Sequence, residues 1–211
     1  MRKKLIFFLF LFIYLITSKS FAITFQDIKN AYYNSYKYEM AGNYKDAIRS
    51  LMIVYSNYPN GYTVNLRLGW LYYLNKNYSN STFHYKKALQ VIPYSIEAKL
   101  GLTLPLLAQG KYSSVENICY QILNQDFYNY FGNLRLVYVL KLEGKYDLAE
   151  KIINKMLYIY PTDTKFLIEL GIIKFKTGKL KDAKKIFNDV LILDPENITA
   201  KSYLEKIQKK R

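Results

Sequence analysis

Residues 62–95 read YTVNLRLGWLYYLNKNYSNSTFHYKKALQVIPYS. This stretch holds two apolar segments, Leu66–Leu74 and Thr82–Ile92, on either side of a polar turn. In both segments the apolar residues recur at three- and four-residue spacing, which is the period of an amphipathic helix. The pattern therefore predicts a helix–turn–helix unit, whose second helix ends at Pro93 because proline cannot continue it.

The same unit recurs every 34 residues without insertion. Its terminal prolines are Pro59, Pro93, Pro161 and Pro195, with Phe127 in the remaining slot. Its turns contain Gly42, Gly110, Gly144 and Gly178, with Lys76 in the second copy. Glycine suits a helix C-terminus that needs a positive φ. A fixed period of this length indicates a repeat array, with copies at 28–61, 62–95, 96–129, 130–163 and 164–197.

The repeat resembles the tetratricopeptide repeat, whose pattern is W-x2-L-G-x2-Y, then A-x3-F, then P. The second copy matches it with Leu68, Gly69, Tyr72, Ser81, Tyr85 and Pro93. The fifth matches with Leu170, Gly171, Ala183, Phe187 and Pro195, although Lys174 replaces the aromatic. The resemblance implies an all-α, right-handed α-solenoid of five helix–turn–helix units. Residues 23–27 are a short lead, and residues 198–211 are expected to form a polar capping helix.

The third and fourth copies depart most from the family pattern. Thr103 and Val137 stand where Gly69 and Gly171 allow two helices to approach closely. Pro105 lies inside a first helix, where it removes a backbone donor. These substitutions predict a kink and poorer packing in the middle of the array.

The first 22 residues have the order of a secretory signal peptide. A basic start, MRKK, precedes the twelve-residue apolar run LIFFLFLFIYLI and a short polar segment that ends at Ala22. A twelve-residue helix rises about 18 Å, whereas the hydrocarbon core of a bilayer is about 30 Å thick. Cleavage after Ala22 is therefore predicted, and an uncleaved membrane anchor is the alternative. A lipid anchor is not expected because no cysteine lies near the cleavage site.

The chain is strongly basic, with a formal net charge of +15. Loss of Arg2, Lys3, Lys4 and Lys19 with the signal peptide would leave +11. The abundance of Lys, Asn, Ile, Tyr and Phe is what AT-rich coding produces, and binding to anionic surfaces or polymers is the other interpretation. Nucleic acid is not an expected partner, since export conflicts with it and the basic residues are dispersed rather than aligned on one helix.

Residues for catalysis or metal binding are scarce. His84 is the only histidine and Cys119 the only cysteine, and the two lie in separate repeats. Both occupy second helices, where a packed or surface histidine and a buried, inert thiol are expected. The sequence therefore predicts neither an enzyme nor a metal site, and it predicts no cofactor.

A binding surface follows from the family register. The resemblance implies that the first helix of each repeat lines a concave groove, and the predicted partner-binding residues are Tyr32, Tyr36, Arg67, Trp70, Tyr73, Leu107, Phe131, Arg135, Tyr138, Lys141 and Phe175. Aromatic and Arg side chains dominate binding energy at interfaces. Packing between neighbouring repeats is the alternative role for them. Tyr32 and Tyr36 fill slots that hold Lys and Asn in repeats that clamp a C-terminal carboxylate, so no such clamp is expected.

The functional expectation is an exported scaffold or adaptor that binds a polypeptide in the groove. A periplasmic location and a role in bacterial cell-envelope assembly or export are expected. The alternatives are a protein held at the membrane by its N-terminal segment, and a basic binder of anionic surfaces.

Overall fold

The structure is a computed structural model that describes residues 23–209. The predicted signal peptide and the last two residues of the predicted capping segment lie outside this range. Eleven helices and no strands occur within it. They are α1 Phe25–Met40, α2 Tyr44–Asn57, α3 Tyr62–Leu74, α4 Tyr78–Val91, α5 Ile96–Ala108, α6 Tyr112–Leu123, α7 Tyr130–Leu142, α8 Tyr146–Ile159, α9 Thr164–Lys176, α10 Leu180–Leu193 and α11 Ile198–Gln208.

The helices form an α-solenoid. Each helix packs on the next, and α3 also contacts α5, α7 contacts α9, and α9 contacts α11. Side-chain contacts join the other neighbouring first helices, Arg67 with Glu39 between α3 and α1 and Arg135 with the Leu100 carbonyl between α7 and α5. The first helices of successive repeats form one face of the array. The last helix, α11, buries Ala200 and Ile207 against the fifth repeat. The all-α repeat fold expected from the sequence is confirmed.

The turns between the paired helices follow the glycine pattern. Gly42, Gly110, Gly144 and Gly178 have φ between 70° and 77°. Lys76 takes the same conformation with φ 59°, and it is the only non-glycine residue in the described range to do so. A side chain with a Cβ is disfavoured there, so the second turn forms against local preference.

The expected looser packing in the middle of the array is present in part: the paired helices of the third and fourth copies approach each other less closely than those of the other three copies. Their interfaces are nevertheless filled. Thr103 and Val137 are fully buried, and Val137 belongs to the largest core cluster. Gly69 and Gly171 make room for the Tyr85 and Phe187 rings. Cys119 and Ile153 occupy the slots that correspond to those rings, and they leave space for a side chain at the glycine position. The helix α5 is continuous through the buried Pro105.

Two buried asparagines fix the loops that precede α3 and α7. Asn65 donates from Nδ2 to the carbonyl oxygens of Pro59 and Gly61, at 2.9 and 2.8 Å. Asn133 donates in the same way to those of Phe127 and Asn129, at 3.1 and 2.9 Å. Phe127 stands where the other copies have the terminal proline, and its carbonyl oxygen accepts this hydrogen bond from Asn133.

His84 completes the first of these networks. Its Nδ1 lies 2.9 Å from Asn65 Oδ1. Because the Asn65 amide nitrogen already donates to the backbone, its oxygen accepts and His84 Nδ1 carries the proton. The imidazole lies among the rings of Tyr55, Tyr72 and Phe83. Burial lowers the pKa of His84 to about 4, since an imidazolium would lose its hydration there. At neutral pH His84 is an uncharged structural residue.

Candidate binding groove

The first helices α1, α3, α5, α7 and α9 line one face of the solenoid, called the groove below. Two pockets open on it. Pocket A has a volume of 310 Å³ and is lined by Tyr32, Thr63, Leu66, Arg67, Trp70, Tyr85, Glu97 and Gly101. Pocket B has a volume of 440 Å³ and is lined by Leu107, Leu134, Arg135, Tyr138, Lys165, Ile168 and Glu169. Six of the eleven predicted binding residues line these pockets, three in each.

Pocket A is fixed by a carboxylate from the preceding repeat. Glu39 forms an ion pair with Arg67 and accepts a hydrogen bond of 2.6 Å from Trp70 Nε1. The Trp70 ring is half-buried and packs against the core clusters on both sides of it. Trp70 therefore connects repeats as well as lining the pocket.

Pocket B contains a half-buried guanidinium. Arg135 donates to the carbonyl of Leu100 and, over 2.5 Å, to Thr103 Oγ1. Thr103 in turn donates to the same carbonyl at 2.7 Å. Desolvation lowers the pKa of Arg135, but an arginine with these donors satisfied remains charged. The threonine that departs from the family pattern therefore holds a groove arginine in place.

A second ion pair lies at the far edge of pocket B. Lys141 pairs with Glu169 of the next repeat, and the Lys141 ammonium lies 5.1 Å from the centre of the Tyr138 ring. Tyr138 itself is 42% exposed. Its ring is available to a ligand while the neighbouring cation is already paired.

The remaining predicted residues are not brought into either pocket. Tyr36 and Phe131 are 57% and 51% exposed. The Tyr73 ring packs against Trp70 and Tyr78, at 5.8 and 6.1 Å. Phe175 lies edge-on to Tyr203 of α11, at 5.2 Å. Phe175 thus packs on the element that follows its repeat, as the alternative interpretation expects, whereas the Tyr73 contacts lie within its own repeat.

Glu97 and Glu169 line the pockets but were not predicted as binding residues from the sequence. The sequence does contain a signal for Glu169. Lys141 and Glu169 are opposite charges 28 residues apart, and the same spacing separates Glu39 from Arg67. At that spacing, a residue near the end of one first helix lies beside a residue in the middle of the next first helix.

The described residues offer no centre for metal chemistry. Residues 23–209 contain no group of three or more His, Cys, Asp or Glu side chains placed to hold a metal ion. Cys119 is fully buried, and burial raises the pKa of its thiol to about 12. The thiol is therefore protonated at neutral pH and is a poor nucleophile. Within the same range, no helix has the length and apolar character needed to cross a membrane.

Known proteins share this architecture. A family model described as tetratricopeptide repeat matches residues 62–94. A tetratricopeptide repeat protein from Parabacteroides merdae ATCC 43184 is similar with a TM-score of 0.78 and 16% identity, over 86% of this chain and 72% of that one. MamA from Desulfovibrio magneticus RS-1 is similar with a TM-score of 0.73 and 16% identity, over 82% of this chain and 97% of that one.

A third structure is TTC0263, a thermophilic tetratricopeptide repeat protein from Thermus thermophilus. Its TM-score is 0.65 at 14% identity, over 86% of this chain and 98% of that one. At these identities the three likenesses show the fold alone. No curated protein sequence matches the chain significantly.

Proposed function

We propose that this chain, whose residues 62–94 match the tetratricopeptide repeat, is an exported scaffold that binds a polypeptide partner along its concave groove. The process it serves is cell-envelope assembly or export in a bacterium. The observation that carries the binding proposal is pocket B, a 440 Å³ cavity with an apolar floor and charged groups at its rim. Apolar cavities with a few placed polar groups are the usual form of a recognition site.

The lining of pocket B suits a peptide side chain. Leu134 and Ile168 provide apolar contact, and the exposed edge of Tyr138 provides an aromatic wall. Arg135 offers a charge that is held by neutral groups and therefore keeps its attraction for an anion. An apolar anchor surrounded by polar contacts is the common arrangement at protein interfaces.

Site-specific crosslinking in cells tests the groove. A photoreactive amino acid at Tyr138 should give a discrete adduct with a partner polypeptide, because this position faces the groove. The matched control is Tyr158, which is 91% exposed on the second helix α8. Adducts of equal yield at both positions, or at neither, would contradict the proposal.

Export is a separate part of the proposal, supported by the basic, apolar and small-residue order of residues 1–22. We expect the exported protein to begin at Ile23 and to be found in the periplasmic fraction. Intact-mass measurement on that fraction identifies the first residue. A mass that retains residues 1–22, together with recovery in the membrane fraction, would support the uncleaved anchor instead.

A further inference from the structure

Pockets A and B are the same site repeated two repeats apart. Five pairs of lining residues are separated by 68 positions: Leu66 and Leu134, Arg67 and Arg135, Trp70 and Tyr138, Glu97 and Lys165, Gly101 and Glu169. The helix sequences agree, since Asn65–Leu68 and Asn133–Leu136 both read NLRL. The groove is therefore built from a 68-residue unit and not only from the 34-residue one.

The contacts beside the pockets repeat at the same interval. The Tyr62 hydroxyl lies 2.8 Å from Ser95 Oγ, and the Tyr130 hydroxyl donates over 2.8 Å to Asp163. Ser95 and Asp163 both cap the next first helix. Equivalent tyrosines thus fix equivalent helix starts, one beside each pocket.

The two pockets differ in charge. In pocket A the Arg67 charge is neutralised by Glu39. The exposed Glu97 keeps its charge, because its contact is the neutral Tyr62 hydroxyl at 3.3 Å. In pocket B the Glu169 charge is neutralised by Lys141. Two cations of pocket B are not paired with a carboxylate. Arg135 is bound to neutral oxygens, and the ammonium of the exposed Lys165 lies 5.9 Å from the centre of the Tyr130 ring. Pocket A is therefore anionic and pocket B is cationic.

The floor between the pockets is apolar. Leu100, Leu104 and Leu107 of α5 are partly buried at successive turns. The carboxamides of Asn65 and Asn133 already bind backbone carbonyls and are buried. An extended peptide would leave its backbone donors and acceptors unsatisfied on such a floor, whereas a helix satisfies its own.

We propose that the groove binds an amphipathic helix with two large apolar side chains, one for each pocket. This inference rests on the proposed function and specifies the partner. Neighbouring helices pack about 8–10 Å apart, so first helices two repeats apart lie about 16–20 Å apart. At a rise of about 1.5 Å per residue this corresponds to three turns, which places the anchors at i and i+11 on one helix face.

Charge assigns the two anchors of this helix to the two pockets. Carboxylates beside one anchor face Arg135 and Lys165 in pocket B, and a cation beside the other faces Glu97 in pocket A.

The test uses the full chain and fluorescein-labelled helical peptides, with binding measured by fluorescence anisotropy. The bipolar peptide has Leu at positions 5 and 16, Glu beside the first Leu and Lys beside the second. An all-acidic and an all-basic peptide keep both leucines, and a spacing control keeps the charges with Leu at positions 5 and 12. The protein variants are Glu97→Lys in pocket A and Asp147→Lys, which makes the same charge change on the second helix α8, away from the groove.

The bipolar peptide should bind the unaltered protein about tenfold more tightly than either uniformly charged peptide or the spacing control. Glu97→Lys should transfer the preference to the all-acidic peptide, and Asp147→Lys should leave it unchanged. Equal binding of all peptides, an equal shift in both variants, or no binding would overturn the inference. A Tyr138 crosslink to a partner would still support the proposed function in those cases, so the two failures are distinguishable.

Discussion

Replacing Gly101 with Ala should lower the free energy of unfolding by about 2 kcal/mol, because overpacking costs about 1–3 kcal/mol and sometimes more. A Cβ at this position would lie 2.7 Å or less from three carbons of the Tyr85 ring. That ring is 3% exposed, and it is also confined by Gly69, where a Cβ would lie 2.9–3.0 Å from ring carbons. The ring is therefore held between the helices that carry Gly69 and Gly101, and a Cβ on either of them displaces it. The gain in helix propensity from Gly to Ala offsets less than about 1 kcal/mol of the cost.

Gly132→Ala is the matched control, since it makes the same change in another first helix. Its Cβ would come no closer than 3.0 Å to Ile122 and 3.2 Å to Asn129, at the ends of side chains. We expect a smaller loss of stability than for Gly101→Ala, because the contacting atoms are side-chain ends that can shift. Urea denaturation followed by circular dichroism measures both variants. Tyr85→Leu should be less harmful in the Gly101→Ala background than alone, because it removes the clash. Equal effects of Gly101→Ala and Gly132→Ala would contradict this account.

The helices and turns could be predicted from the sequence because their signals are local. Apolar spacing, turn glycines and terminal prolines each act within a few residues, and their 34-residue recurrence fixed the register. The quality of packing could not be read from single positions. Thr103 and Val137 look like defects beside Gly69 and Gly171, yet the size of the facing side chain decides the fit, and Cys119 and Ile153 are small enough.

The groove positions could also be predicted from the register, but their availability could not. Trp70 and Lys141 stand at groove slots, yet each is already bound to a carboxylate, of Glu39 and Glu169 respectively. Those partners lie in a neighbouring repeat, so the interaction depends on how two repeats stack. The charge contrast between the pockets has the same origin, because ion pairing across repeats decides which charges stay uncompensated.

Trp70→Ala and Tyr138→Ala should separate folding from binding at equivalent positions of the groove. Trp70 packs against two core clusters and donates to Glu39, so its loss should cost about 3 kcal/mol of stability. Tyr138 is 42% exposed at pocket B, and its loss should change the melting transition little. Removing an interface aromatic typically costs about 2 kcal/mol, so Tyr138→Ala should weaken partner binding roughly thirtyfold. Thermal melting and titration with the purified crosslinked partner measure both quantities for each variant. If Tyr138→Ala loses stability while its folded fraction binds normally, Tyr138 is a packing residue and the partner binds elsewhere.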